Sequence, residues 1–164
     1  FGSGFVPEGR GFLLNNEMAD FSTRPDSVNS PGPYKRPVSS MGPLILLKGD
    51  TPFLALGSPG GTRIFTSLTQ IILNVIEFGM SLDEAIEAPR FFTYSSEGIA
   101  RNLFVESRIP QHIIRSLEKI GHTIVVREAY DKYFGGAQGI LIDRNRNILI
   151  GGADSRRDGS GAGY

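Results

Sequence analysis

Gly57-Ser58-Pro59-Gly60-Gly61-Thr62-Arg63 separates two stretches of different periodicity, and this junction constrains the fold more than any other segment. Before it, Pro43 to Lys48 and Pro52 to Leu56, joined by Gly49-Asp50-Thr51, read as a hairpin of apolar strands whose unbroken runs suggest cover on both faces. After it, Ile64, Leu68, Ile71, Ile72, Val75 and Ile76 recur at helical spacing, with Thr62 as the expected N-cap and Gly79 as the stop. A glycine turn between a strand and a helix can take backbone angles closed to other residues and leaves N–H donors open to a reacting group. Two such donors can hold a phosphate or a developing oxyanion; the same glycines can also serve chain reversal alone.

The remaining pattern extends this layout. Gly11 to Asn15 reads as a short strand, and Ser81-Leu82-Asp83-Glu84 has the spacing of a capping box that opens a second helix, ended by Pro89. Leu103 to Glu106 suits a strand, Pro110 to Ile120 a helix closed by Gly121, and His122 to Arg127 another strand. Gln138 to Asp143 and Asn147 to Ile150 read as strands, and Gly151 to Tyr164 as a glycine-rich polar tail. Helices grouped between sets of strands predict an α+β layered fold, with residues 1–164 as a single domain. Residues 22–34, with Pro25, Pro31, Gly32 and Pro33, are too broken for regular structure and are the expected mobile loop.

Composition excludes several function classes. The 17 basic and 17 acidic residues cancel, which removes a global field toward nucleic acid or an anionic membrane surface. The absence of cysteine removes disulfides, thiolate catalysis and Cys-based zinc sites, and with two histidines a metal site would need mostly carboxylates. No metal and no cofactor are therefore expected; the glycine turn lacks the Lys-Ser/Thr ending of a P-loop, and no nicotinamide fingerprint is present. No apolar run reaches the roughly 18 to 20 residues of a membrane span. The chain starts Phe1-Gly2-Ser3-Gly4-Phe5-Val6, which reads as the middle of a strand in a larger product.

Two polar clusters bracket the apolar strands. Glu17 and Asp20, in Asn15-Asn16-Glu17-Met18-Ala19-Asp20, would share one face of a helical turn and together could hold an ammonium, or simply be solvated carboxylates on a surface turn. Ser39 and Ser40, after Lys35-Arg36-Pro37-Val38, offer hydroxyls that could bind a carboxylate, or make turn hydrogen bonds. A serine-hydrolase reading lacks its base: His112 sits in an amphipathic helix and His122 opens a strand, neither beside a carboxylate pattern.

Taken in order, Leu14-Asn15-Asn16-Glu17-Met18, Lys35-Arg36-Pro37-Val38-Ser39-Ser40-Met41, Leu56-Gly57-Ser58-Pro59-Gly60-Gly61 and Ala88-Pro89-Arg90 resemble the small subunit of the γ-glutamyltranspeptidase family, from Phe1 to Tyr164. The resemblance implies an N-terminal nucleophile hydrolase fold, a four-layer αββα sandwich, assembled with a large subunit cut from the same precursor. It implies that Glu17 and Asp20 hold the α-ammonium of a γ-glutamyl donor, that Ser39 and Ser40 bind its α-carboxylate, and that Gly60 and Gly61 form the oxyanion hole. The implied activity is cleavage of γ-glutamyl amides, such as glutathione, with transfer to water, amino acids or peptides. Many relatives are periplasmic or secreted.

The family's nucleophile is a threonine at a new N-terminus, and Phe1 corresponds to a point beyond it, so the chain alone is expected to be inactive. Residues 22–34 are short beside the lid loop of other relatives, which implies an open pocket and an alternative activity on polymeric γ-glutamyl donors. A non-catalytic relative or fragment that keeps the fold is the other alternative. An amidase for β-lactam side chains fits less well, because Glu17, Asp20, Ser39 and Ser40 suit a free amino-acid head.

Overall fold

The computed structural model describes residues 2–94 and 102–163. The chain falls into two compact units, Phe1–Ser40 and Met41–Tyr164, each described by itself.

The first unit is built from turns. Among the described residues its one helical element is a 3-10 turn, Glu17–Asp20, opened by Asn15, whose Oδ1 accepts from the Glu17 N–H at 3.0 Å. The strand expected at residues 11–15 does not form. Leu14 exchanges backbone hydrogen bonds with Ser3 (3.0 Å) and Phe5 (2.9 Å), and among the described residues this is too short a ladder to make a sheet. Residues 22–34 contain neither helix nor strand, as expected, yet they are cross-tied internally, with the Ser22 N–H donating to Asn29 O at 2.8 Å.

The second unit carries the regular structure. Strands β1 (Leu44–Lys48) and β2 (Thr51–Gly57) form the expected hairpin, with Gly49 at φ 63° in its turn. Helix α1 (Ile64–Ile76) follows, entered through a 3-10 turn at Gly61–Arg63. Thr62 is therefore not the N-cap: Gly61, at φ 58°, coils the chain before Thr62 is reached. Gly79, at φ 66°, terminates the helical path, with the Met80 N–H donating to Asn74 O at 3.0 Å. Helix α2 (Leu82–Glu87) has the predicted capping box: the Ser81 hydroxyl accepts from the Glu84 N–H and the Glu84 carboxylate from the Ser81 N–H.

Strands β3 (Phe91–Thr93), β4 (Asn102–Glu106) and β5 (Thr123–Arg127) make one sheet, with α3 (Gln111–Lys119) crossing between the parallel pair β4 and β5. Strands β6 (Gln138–Asp143) and β7 (Ile148–Ala153) complete an antiparallel sheet of order β1-β2-β6-β7. Strand β7 runs through Gly151 and Gly152, which the sequence pattern assigned to the tail. The reason is helix α2: a Cβ on Gly152 would lie 2.8 Å from Ile86 Cδ1 and 2.9 Å from Leu82 Cγ, so only glycine lets the helix approach.

One face of this sheet is buried. Leu54, Leu56, Ile64, Leu68, Ile71, Val75, Leu82, Ala85 and Ile86 form its core beneath α1 and α2. Each leucine, isoleucine or valine among them contributes about 1.5–3 kcal/mol when fully withdrawn from water. The opposite face is open in this chain, contrary to strands covered on both sides: Ile45 is 67% exposed, Leu149 69% and Ile140 47%. Among the described residues no helix is long and apolar enough to cross a membrane.

Candidate functional site

At the end of β2 the chain leaves the sheet through Gly57 to Gly61 and enters α1. Gly60 has φ 149° and Gly61 φ 58°, both in the region that L side chains rarely adopt. The turn is seated on a second glycine pair. Ser58 Oγ accepts from the Gly136 N–H at 3.1 Å and donates to Pro59 O at 2.8 Å, and a Cβ on Gly60 would sit 3.4 Å from Gly135 Cα. Gly135 admits no side chain, since its Cβ would come within 2.7 Å of Ser58 Oγ and 2.9 Å of Pro59 O. Backbone therefore meets backbone, with Ser58 as the bridging side chain.

The segment from Phe134 to Ala137 is itself fixed from the opposite side. Phe134 O accepts from Ser67 Oγ at 2.8 Å and from Arg90 Nη1 at 2.9 Å, and the Ala137 N–H donates to Asp154 Oδ2 at 2.8 Å. Arg90 pairs with Asp154 at 2.8 Å, and Asp154 also pairs with Arg156 at 3.0 Å. Arg156 pairs in turn with buried Glu106, which also takes Arg108. Burial pushes the Asp154 carboxyl up, but Arg90, the N–H of Arg156, the Arg156 charge and the Ala137 N–H together hold it below the usual aspartate value. This network was not legible as a site. Its one sequence signal is Ala88-Pro89-Arg90, where Pro89 ends α2 and delivers Arg90 into the interior.

The donor-head candidates lie in the first unit. Glu17 and Asp20 share the 3-10 turn as the spacing predicts, Glu17 partly buried and Asp20 exposed; Ser39 and Ser40 are exposed at the unit's end. Asn29 joins these two segments: its Nδ2 donates to Asp20 O at 2.7 Å and its Oδ1 accepts from the Val38 N–H at 3.0 Å. Gly60 and Gly61 belong to the second unit. His112 and His122 are both exposed. Among the described residues no group of three His, Asp or Glu side chains is placed to hold a metal ion.

The sequence model of the gamma-glutamyltranspeptidase family matches residues 1–164. The chain belongs to that family. It is 39% identical over 163 residues to the glutathione hydrolase proenzyme of Bacillus subtilis strain 168, a match covering 99% of this chain and 27% of that proenzyme. It is 38% identical over 160 residues to the acylase ACY 1 proenzyme of Pseudomonas sp. strain SE83, covering 98% of this chain and 27% of that proenzyme. The chain thus spans about a quarter of the length of these curated relatives. Among solved structures, the gamma-glutamyltranspeptidase from Pseudomonas nitroreducens complexed with L-DON superposes with a TM-score of 0.84 at 32% identity, covering 100% of this chain and 88% of that one. The α+β fold of the γ-glutamyltranspeptidase small subunit, of the N-terminal nucleophile hydrolase type, is the fold of this chain.

Proposed function

We propose that this chain supplies the donor-binding groups and the oxyanion hole of an enzyme that cleaves γ-glutamyl amides and passes the γ-glutamyl group to water, an amino acid or a peptide. The observation that carries the reading is the full-length family match together with Gly60 and Gly61, both at positive φ at the entrance to α1. The glutathione hydrolase name of a relative at 39% identity supports the γ-glutamyl donor.

In this reading Glu17 and Asp20 accept from the donor's α-ammonium, and Ser39 and Ser40 donate to its α-carboxylate. A threonine hydroxyl, supplied by the same precursor outside residues 1–164, attacks the γ-carbonyl and passes its proton to that threonine's own α-amino group, which later returns it to the leaving amine. The C=O π pair moves onto oxygen, and the Gly60 and Gly61 N–H groups stabilise that charge, a contribution of roughly 3 to 4 kcal/mol per donor in comparable sites. Collapse expels the amine, which leaves protonated, and yields a γ-glutamyl ester; water or an acceptor amine then releases the acyl group by the reverse path.

A large-subunit partner fits two observations. The chain covers 27% of a curated proenzyme but 88% of a solved chain, so a relative exists as a separate chain of about this extent. The open sheet face, with Ile45 at 67% and Leu149 at 69% exposed, offers apolar surface for that partner to cover.

The test uses the complete precursor. Release of p-nitroaniline from its γ-glutamyl amide, with residues 1–164 alone inactive, is the expected result; an enzyme that ignores this donor but hydrolyses a β-lactam side-chain amide would move the chain toward the acylase relative. The short 22–34 connection favours, as a second reading, polymeric γ-glutamyl donors. Initial rates on a γ-glutamyl oligomer and on glutathione separate the two, and a strong preference for glutathione counts against the second.

A further inference from the structure

Residues 22–38 have no helix or strand to fix their path, yet they separate the two segments proposed to grip the donor's amino-acid head. A site made of independent turns would lose affinity to the ordering of both at each binding event. Asn29 counters this. Its backbone N–H donates to Ser27 Oγ at 3.2 Å, its carbonyl accepts from the Ser22 N–H at 2.8 Å, its Nδ2 donates to Asp20 O at 2.7 Å and its Oδ1 accepts from the Val38 N–H at 3.0 Å. A backbone N–H can only donate and a backbone carbonyl only accept, so these partners fix the amide orientation and require one donor and one acceptor on a single short side chain. Asparagine meets that demand. Aspartate has no donor for Asp20 O, and alanine meets neither half. Lys35 closes the same loop, its Nζ donating to Val28 O at 3.3 Å and Ser30 O at 3.1 Å.

We propose that Asn29 is a positioning residue for donor recognition, setting the Glu17–Asp20 turn against the Val38-Ser39-Ser40 segment so that ammonium and carboxylate are gripped at one spacing. The proposal rests on the γ-glutamyl reading above. It makes the short connection a brace, because the Asn29 side chain bonds to both binding segments.

The experiment compares wild type with Asn29→Ala in the complete, processed enzyme. Loss of the two side-chain bonds is expected to raise the KM for γ-glutamyl-p-nitroanilide about tenfold. The kcat is expected to stay within about twofold, because the reacting atoms are untouched. Amide hydrogen exchange at Val38 and around Asp20 is expected to accelerate, with α1 unchanged. An unchanged KM, a fall confined to kcat, or unchanged Val38 exchange each overturns the proposal. Wild-type enzyme that turns over no γ-glutamyl donor overturns the functional reading instead, and the exchange comparison still decides whether Asn29 holds the two segments together.

Discussion

The guanidinium of Arg90 meets the carboxylate of Asp154 at 2.8 Å with both side chains withdrawn from solvent, 1% and 0% exposed. Each of the two also holds the segment beneath the glycine turn: Arg90 donates to Phe134 O, and Asp154 accepts from the Ala137 N–H. The pair therefore does more than neutralise two charges. It fixes both ends of the Gly135-Gly136 platform on which Ser58 and Gly60 rest.

Asp154→Ala leaves the buried guanidinia of Arg90 and Arg156 short of a counter-charge and the Ala137 N–H without its acceptor. Removal of one partner from a buried pair costs about 3–5 kcal/mol. Denaturant unfolding of the complete protein should show a lower midpoint for this variant, and a change below about 0.5 kcal/mol would mean that the network contributes little.

The same carboxylate gives the fold an acid limit. Its folded value lies below the unfolded one, so the stabilisation is fully present above the ordinary aspartate value of about 3.9 and is lost as pH falls through the lowered value. Thermal unfolding followed from pH 6 to about pH 3 should show the wild-type Tm falling at the acid end. Asp154→Asn, which cannot titrate, should start lower and fall less steeply over that window.

What was legible in the sequence was local. The hairpin, the periodicity of Ile64 to Val75 and the Ser81–Glu84 capping box each declare themselves within a few residues, and all three are present. What was not legible depends on distant partners. Gly152 looks like a tail residue until Leu82 and Ile86 are packed against it. Glu106 ends a predicted strand and Asp154 and Arg156 fall in the polar tail, and nothing in their own segments shows that they meet in the interior. Asn29 is one polar residue among many in a broken loop. In the opposite direction, Phe12-Leu13-Leu14 has the composition of a strand but lacks a ladder long enough to become one. For the candidate site, the residue types and their order were readable, whereas the supports beneath them were not.

The two glycines of the turn should respond unequally to alanine. A Cβ on Gly61 meets nothing within 4 Å, so Gly61→Ala bears only the left-handed backbone penalty of about 1–2 kcal/mol. Gly60, at φ 149° and ψ 4°, lies outside the small left-handed region near about φ +57° that L residues can enter, so alanine there distorts the backbone of the turn, while its methyl makes only ordinary contact with Gly135 Cα at 3.4 Å. Both variants keep their N–H groups, so the loss measures misplacement: Gly60→Ala should reduce kcat for a γ-glutamyl anilide about a hundredfold, and Gly61→Ala clearly less. Equal losses in the two variants would contradict this ranking.

Ser58→Ala removes the hydroxyl that links the turn to Gly136 and leaves that N–H without its acceptor. The platform itself remains, because Phe134 and Ala137 are held by Ser67, Arg90 and Asp154. The fold should therefore survive while the turn loosens. Steady-state kinetics on the processed enzyme should show kcat reduced by about ten- to a hundredfold, with the donor KM little changed, since Glu17, Asp20, Ser39 and Ser40 are untouched. Binding of a glutamate analogue bearing a γ-boronic acid, which forms a tetrahedral adduct, should weaken by the same factor as kcat. A KM that rises in step with the loss of kcat/KM would place the role of Ser58 in ground-state binding and remove it from support of the oxyanion turn.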